Sequence, residues 1–197
     1  MRHDILIDGD AFSLRPVMPE DSEFIVALRI DKSLSRFIHA TSADPAAQRA
    51  WIERYFEREG DYYFIIENRV TRTPEGTISI HDADPDRVTA EWGRWILRPQ
   101  SLASVESVML VYRVAFARLG LQSIYCRTLA ENKKVVSFHT SCGLETVGVV
   151  SGAFTIDGRP RDAVEQRLTR DGWPAVDAKL AMLAARTARL VARGTNP

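Results

Sequence analysis

The sequence predicts a mixed α/β (α+β) fold in which a mostly antiparallel central sheet carries helices on both faces and an extra helix follows at the C-terminal end. Two observations support this prediction. Short runs of strand length, either alternating or continuously apolar, recur along the chain. Between them lie longer stretches whose apolar residues follow helical spacing. In chain order the elements are strand, two helices, three strands, helix, strand, helix, two strands and a last helix.

The N-terminal elements are a strand and two helices. Residues Phe12–Val17 alternate between apolar and polar side chains, which predicts a strand. A proline and two acidic residues follow at Pro19, where a helix over residues 20–30 should begin. Asp44, followed directly by a proline, forms an N-cap and first-turn pair, and this pair predicts an amphipathic helix over residues 46–59.

Three strands follow without an intervening helix. Tyr62–Ile66 is almost continuously apolar, as expected of a strand that is covered on both faces. Gly76 begins the next run, in which His81 falls on the polar face. After a turn, a strand over Val88–Leu97 is predicted, and we expect these strands to be antiparallel neighbours.

The second half of the domain alternates helices and strands. Ser101–Leu119 is the clearest helix, because its apolar residues recur at the i, i+3, i+4 spacing and Gly120 ends it. The predicted elements after it are a strand Ser123–Leu129, a helix Asn132–Cys142, and two strands, Thr146–Phe154 and Asp162–Leu168, joined by a tight Asp-Gly turn.

The chain divides into a main domain, residues 1–172, and a C-terminal amphipathic helix with its tail, residues 173–197. One face of this helix is apolar, with Leu180 and Leu183, and the other is basic, with Arg186 and Arg189. This pattern favours a helix that docks on the domain. Contact with a second copy in a homodimer, or with a membrane surface, is the alternative.

Composition excludes several classes of protein. With 197 residues and 45% hydrophobic content, the chain is large enough for one well-buried core and short for two. Its 26 basic and 26 acidic residues balance, so the broad positive field of a nucleic-acid-binding protein is missing. Nucleic acid is therefore not an expected partner.

Nothing in the sequence indicates export or a metal centre. The stretch after Met1 lacks the apolar run of a secretory signal, and no later stretch approaches the length that spans a bilayer. We therefore expect a cytoplasmic protein without a membrane span. Cys126 and Cys142 lie in apolar surroundings without metal-ligand spacing, so we interpret them as small core residues and expect no metal.

The junction between the strand ending at Leu97 and the long helix after it is a candidate anion site. A helix N-terminus offers unpaired backbone amides and the positive end of the helix dipole. Such a terminus can hold a pyrophosphate. By itself this signal is weak, because every helix has an N-terminus and most bind nothing.

The element order, together with the stretch Asn132–Leu144, resembles the C-terminal half of the GNAT N-acetyltransferase fold. Members of that superfamily carry an asparagine, an apolar residue, an aromatic pair and a Gly-Phe at this spacing. The resemblance implies acetyl-coenzyme A as cosubstrate and a primary amine as acceptor. It also implies that the strand equivalent to Val88–Leu97 splays from the next strand, so that Ile96 and Leu97 contact pantetheine in the opening.

The resemblance also places the coenzyme phosphates. They would be surrounded by the loop made of Gln100, Ser101, Leu102, Ala103, Ser104 and Val105. The family's usual loop, basic-x-x-Gly-x-Gly/Ala, is here free of glycine. Small side chains in this loop still leave backbone donors accessible.

Two residues of the predicted helix Asn132–Cys142 carry candidate roles. His139 stands where many family members have a tyrosine that protonates the departing thiolate, and an imidazolium with a pKa near its usual value of about 6.5 is a competent acid. The alternative is an imidazole that is simply hydrogen-bonded inside the packed helix. Asn132 is family-like as a contact to the coenzyme or to the splayed strand, to the helix as its N-cap, or to both.

The attacking amine must be neutral, so a base should face the acceptor. Glu91 and His81, on neighbouring predicted strands, are the candidates. The alternative for each is a solvated surface side chain. Trp92 is a candidate for lining the acceptor pocket, and its alternative is a place in the core.

A finer resemblance covers about residues 29–173. It is to GNAT enzymes of the pseudaminic-acid type, which acetylate an amino group of a UDP-linked amino-deoxy sugar. In such enzymes the nucleotide lies against the first loop and the terminal hairpin, so Arg29, Arg36, His39 and Arg159 are candidate diphosphate or sugar contacts. Isolated, solvated side chains are the alternative for each.

Three functions therefore stand after the sequence alone. The leading one is acetylation of a nucleotide-linked amino sugar. The runner-up is N-terminal acetylation of a protein, as in the ribosomal-protein acetyltransferases of the same architecture. The third is a non-catalytic domain that binds coenzyme A or a partner protein, which the glycine-free loop favours.

Overall fold

The computed structural model describes residues 1–34, 37, 41–84, 86 and 88–194. In chain order its elements are β1 (Ile7–Asp8), β2 (Phe12–Pro16), a 3-10 turn (Pro19–Asp21), α1 (Ser22–Ile30), α2 (Pro45–Tyr55), β3 (Tyr62–Asn68), β4 (Pro74–His81), β5 (Thr89–Leu97), α3 (Ser104–Arg113) with a π-helical turn (Val114–Arg118), β6 (Ser123–Leu129), α4 (Lys133–Ser141), β7 (Glu145–Ile156), β8 (Arg159–Thr169) and α5 (Trp173–Gly194). The predicted order is confirmed, with β1 added at the start.

The strands form one eight-stranded sheet in the order β1-β2-β3-β4-β5-β6-β8-β7. Every neighbouring pair is antiparallel except β5 and β6, which are parallel. The pairing of β5 with β6 joins Thr89–Glu91 to Ser123–Tyr125 and stops there, although both strands continue. The two strands therefore splay, and a cleft opens between them.

Helices cover both faces of this sheet, because successive side chains of β3 point alternately into two different cores. Phe64 and Ile66 point into the larger core, which also contains α3 and α5. Tyr63 and Ile65 point into a second core with Ile52 of α2 and residues of α1. Each fully buried side chain of this size stabilises the fold by roughly 1.5–3 kcal/mol. The predicted mixed sheet with helices on both faces is confirmed.

The C-terminal helix α5 packs on α3. Leu180 and Ala184 are fully buried in the larger core, and Asp177 accepts a 2.7 Å hydrogen bond from the Arg113 guanidinium. The outer face of α5 leaves Met182 exposed. Contact of that face with a second copy stays a prediction. None of the described helices is both long and apolar enough to cross a bilayer.

Several predicted boundaries are wrong for local reasons. α2 ends at Tyr55 rather than at residue 59, because the chain turns there toward Gly60, whose φ is 68°. α3 begins at Ser104 rather than at Ser101, since the Ser101 hydroxyl accepts a hydrogen bond from the Ala103 amide and closes a turn. The last two strands extend farther than predicted and meet at the Asp157-Gly158 turn, where both residues have positive φ.

Candidate active site

A cavity of about 810 Å³ lies where β5 parts from β6. Its walls come from the end of β4, most of β5, the second half of β6 and the first turns of α4. Phe154 and Ile156 of β7 also line it. This volume is typical of a site that takes a small-molecule ligand.

A bulge in β5 shapes one wall of the cavity. Ser79 pairs with Gly93 and Thr77 pairs with Ile96, so β5 contains one more residue than β4 between these two pairs. The extra length falls at Arg94, whose φ of 47° lies in the left-handed region that side chains other than glycine rarely adopt. The Thr77 hydroxyl donates a 2.7 Å hydrogen bond to the Arg94 carbonyl and holds the bulge.

The Arg94 side chain is fixed as firmly as its backbone. Its guanidinium forms a two-pronged ion pair with the buried carboxylate of Asp61, with 2.8 Å between Nη2 and Oδ2. It also lies over the rings of Trp51 and Tyr63, at 5.6 and 5.5 Å from their centroids. These contacts offset the backbone strain, because a bidentate guanidinium–carboxylate pair is among the stronger polar contacts in proteins.

The two candidate bases lie side by side. His81 on β4 and Glu91 on β5 are cross-strand partners, and both line the cavity. One ligand atom from each of His81, Asp82 and Glu91 lies within 4.8 Å of the other two. Such a group could also hold a cation, but the neighbouring guanidinium groups of Arg94 and Arg127 oppose a further positive charge.

Burial changes the protonation of both candidates. Burial first, and the charge of Arg94 second, lower the pKa of His81 to about 4, so its imidazole is neutral at pH 7. Burial also raises the pKa of Glu91, and Arg127, with Nη1 3.7 Å from Glu91 Oε2, opposes that rise. The cavity therefore holds a neutral imidazole next to a partly desolvated carboxyl group.

His139 lies on the opposite wall and is 4% exposed. Its Nδ1 is 3.3 Å from both Thr128 Oγ1 and Cys126 Sγ, and its Nε2 is buried without a hydrogen-bond partner. Burial lowers the pKa of His139 to about 4, well below the value of about 6.5 that the sequence-based role as an imidazolium acid assumed. At pH 7 the ring is therefore a neutral hydrogen-bonding group.

Aromatic rings surround His139. Trp92 lies 4.8 Å from it between ring centroids, and Trp95 stacks on Phe138 at 5.1 Å. Trp92 is both a core residue, 1% exposed, and a residue of the cavity wall, and its contact with an acceptor stays a prediction. These aromatic rings are of low polarity, which explains why burial lowers the pKa of the His139 imidazole.

The predicted coenzyme contacts fall into two groups. Ile96, Leu97, Ser104 and Asn132 line the cavity. The side chain of Asn132 also accepts a 3.4 Å hydrogen bond from the Val135 amide, which makes it the N-cap of α4.

The second group forms the loop at the start of α3 and does not line the cavity. Its members are Gln100, Ser101, Leu102, Ala103 and Val105. Gln100 has a φ of 67°, so a residue other than glycine makes the sharp turn of this loop. The first amides of α3 have no carbonyl within the helix to bind, and they remain available to an anion.

Of the predicted acceptor contacts that the structure describes, Arg29 and Trp92 line the cavity and Arg159 does not. Burial lowers the pKa of Arg29, and its Nε donates a 2.6 Å hydrogen bond to Thr41 Oγ1. Arg159 begins β8 as an exposed residue outside the cavity wall. Arg36 and His39 lie outside the described residues.

Sequence reasoning missed several residues of the wall. Arg94, Arg127, Thr128 and Lys134 line the cavity without having been singled out. One signal was present, because Arg94 interrupts an otherwise aromatic and apolar strand segment between two tryptophans. Cys126 and Cys142 are free and buried, as predicted.

The cleft at the splay of β5 and β6, with Ser104 at the start of α3 on its wall, is the arrangement of a small-molecule binding site. Comparison with known proteins makes this specific. A family model described as acetyltransferase (GNAT) domain matches residues 12–145, and the chain belongs to that family. It is therefore an N-acyltransferase of a family that uses acetyl-coenzyme A as cosubstrate.

Solved structures agree with this assignment. The chain is similar to apo FdhC, a nucleotide-linked sugar GNAT, with 27% identity and a TM-score of 0.77, covering 91% of this chain and 98% of that one. It is also similar to a variant of spermidine N-acetyltransferase SpeG from Vibrio cholerae, with 19% identity and a TM-score of 0.72 over 84% and 97% of the two chains. A GCN5-related N-acetyltransferase from Brucella melitensis has 17% identity and a TM-score of 0.81 over 93% and 86%.

The last two similarities, both below 25% identity, show the fold alone. A search of curated proteins found no match.

Proposed function

We propose that this enzyme transfers the acetyl group of acetyl-coenzyme A to the primary amine of a nucleotide-linked amino-deoxy sugar. The observation that carries the proposal is the charge of the cavity wall. Among the described residues, the basic side chains that line it are Arg29, Arg94, Arg127 and Lys134, and the carboxylate that lines it is Glu91. A diphosphate-bearing acceptor suits such a wall.

The same wall disfavours a polyamine acceptor. A polyamine carries several positive charges, and these would meet the guanidinium groups of Arg29, Arg94 and Arg127 on the cavity wall. Two of the cations already have partners, since Arg94 binds Asp61 and Arg127 binds Glu165. The similarity to a nucleotide-linked sugar GNAT points in the same direction.

The cleft between β5 and β6 fits acetyl-coenzyme A. Because strand pairing ends at Glu91 and Tyr125, the facing edges beyond them are free to bind the amides of pantetheine. Ile96 and Leu97 would contact that arm, and the loop from Gln100 to Val105 with the first amides of α3 would hold the pyrophosphate. The bound thioester supplies the activated acetyl group.

The acceptor amine attacks as a neutral group. A base, His81 or Glu91, takes one proton from the amine nitrogen as the C–N bond forms and the C–S bond breaks. The electron pair of the C–S bond leaves with sulfur as a thiolate.

His139 faces this departing charge as a neutral ring. In the tautomer in which Nδ1 accepts from the Cys126 thiol, the ring proton lies on the buried Nε2. The Nε2–H group then donates a hydrogen bond to the thiolate, which takes its proton from solvent. In this role His139 stabilises the leaving group without itself changing charge.

A thiol-release assay with acetyl-coenzyme A tests the proposal, using a UDP-linked amino-deoxy sugar, spermidine and short peptides with free N-termini as acceptors. We expect release with the nucleotide sugar and much less with spermidine. Release confined to peptides would establish the N-terminal acetyltransferase instead. Calorimetric binding of acetyl-coenzyme A without release on any acceptor would identify a domain that binds the coenzyme without transfer.

A further inference from the structure

Ser79 and His81 are two residues apart on β4, so their side chains share one face of the strand. Ser79 is fully buried, whereas His81 reaches the cavity. The Ser79 hydroxyl donates a 3.1 Å hydrogen bond to the Gly93 carbonyl of β5, and its oxygen is 3.2 Å from His81 Nδ1. Ser79 therefore connects the cavity histidine to the backbone of the neighbouring strand.

This connection fixes where the proton of the neutral imidazole lies. A serine hydroxyl has one proton, and the Gly93 carbonyl, 3.1 Å away, can only accept it, whereas His81 Nδ1 can accept or donate; we therefore assign this proton to the Gly93 carbonyl. The oxygen can then only accept from the ring, which places the proton of His81 on Nδ1. Nε2 is left with its lone pair, and it has no hydrogen-bond partner among the described residues.

We propose that Ser79 is a positioning residue that holds His81 as the Nδ1–H tautomer and thereby presents Nε2 as the base for the acceptor amine. The proposal rests on the proposed function for its last step. Nε2 takes the amine proton as the C–N bond forms, and the imidazolium then donates from both nitrogens, with Nδ1–H still bound to Ser79. The hydroxyl thus supports the ring before and after the transfer.

The surroundings of the ring act in both directions. Burial and then Arg94 oppose an imidazolium, whereas Asp61 and the adjacent Asp82 favour one. Gly93 also makes room for the ring, because a Cβ at that position would lie 3.2 Å from His81 Cε1. The strand opposite His81 therefore supplies both the acceptor for Ser79 and the space for the imidazole.

The test combines NMR with kinetics on the full chain. Long-range proton–nitrogen spectra of the free enzyme assign the His81 tautomer in the wild type and in Ser79→Ala. We expect Nδ1–H in the wild type and a mixture in the variant, because the commoner tautomer of free histidine is Nε2–H. We expect kcat to fall about 10-fold in Ser79→Ala, the order of one lost hydrogen bond, with an unchanged KM for acetyl-coenzyme A.

Two comparisons separate positioning from a structural effect. Ser13→Ala removes another buried serine hydroxyl of the same sheet, one without a hydrogen-bond partner, and it should leave kcat unchanged. In a His81→Ala background, Ser79→Ala should cause no further loss, since the hydroxyl acts through the ring.

Two results overturn the proposal: an Nε2–H tautomer in the wild type, or an equal loss of kcat in both backgrounds. The spectra decide the position of the proton even if no acceptor is acetylated. That outcome removes the proposed function without touching the tautomer assignment.

Discussion

The two walls of the cavity each contain a histidine, His81 half-buried and His139 buried, and burial lowers the pKa of both to about 4. Their surroundings differ. His81 lies among charged groups and is tied to Ser79, whereas His139 lies in an aromatic box and burial is the cause of its shift. The same titration behaviour therefore accompanies two different capacities. The carboxyl groups of Asp61 and Asp82 favour a proton on His81, whereas no charged group acts in this way on His139.

The largest expected effect comes from removing His81. If it is the base, His81→Ala should lower kcat by about 10²–10⁴-fold and leave the binding of acetyl-coenzyme A nearly intact. Steady-state kinetics with calorimetry of the coenzyme measures both quantities. A loss of this size in Glu91→Gln, with His81→Ala nearly unchanged, would transfer the role of base to the carboxyl group.

Asp61 tests how firmly the β4–β5 wall is held. Asp61→Asn leaves the Arg94 guanidinium without its ionic partner, and breaking such a buried pair should lower the free energy of unfolding by about 3 kcal/mol. Urea unfolding of wild type and variant measures this change. Asp8→Asn is the matched control, because the Asp8–Arg69 pair is exposed and should contribute about 0–1 kcal/mol.

On the other wall, His139→Ala should reduce kcat by about 10²-fold, the usual cost of one donor to a developing negative charge. The reduction should not depend on pH between 6 and 8, because the ring stays neutral throughout. A pH–rate profile in which the dependence on His139 follows a pKa near 6.5 would restore the imidazolium acid that the sequence indicated.

The pH dependence of the free energy of unfolding should also show that the His139 ring is neutral. Because the pKa of His139 is about 4 in the folded chain and about 6.5 when unfolded, the unfolded state binds more protons between these values, and stability rises with pH there. In His139→Gln the rise from pH 5 to pH 6.5 should be smaller by about 1–2 kcal/mol. Equal slopes for both proteins in urea unfolding would show that burial does not lower this pKa.

The sequence predicted the fold better than the site, for physical reasons. Periodicity located β6 to the residue, because its pattern is local and its ends are clear. Periodicity also predicted His81 and Glu91 on neighbouring strands, because each lies near one end of one of two adjacent strand-length runs. The ion pair between Asp61 and Arg94 joins residues 33 positions apart. It depends on the bulge in β5, which the sequence pattern does not indicate.

The coenzyme loop shows the same limit at short range. Helical spacing extends to Ser101, but one hydroxyl-to-amide hydrogen bond moves the start of α3 to Ser104. Arg159 was assigned to the acceptor by its place in the hairpin, and the direction of that hairpin, which three-dimensional packing decides, leaves it outside the cavity wall. Local bonding and packing therefore account for what the sequence did not predict.

The smallest expected effect concerns the glycine-free loop at the mouth of the cleft. This loop contains none of the candidate catalytic residues. The Ser101 hydroxyl accepts a hydrogen bond from the Ala103 amide, which could otherwise donate to a phosphate. Ser101→Gly frees that amide, and the gain of one backbone hydrogen bond, partly offset by the greater flexibility of glycine, should tighten acetyl-coenzyme A binding about threefold. Calorimetry measures the change, and kcat should stay constant because the residue is remote from both histidines. Weaker binding in the variant would mean that the Ser101 turn itself holds the loop in its binding shape.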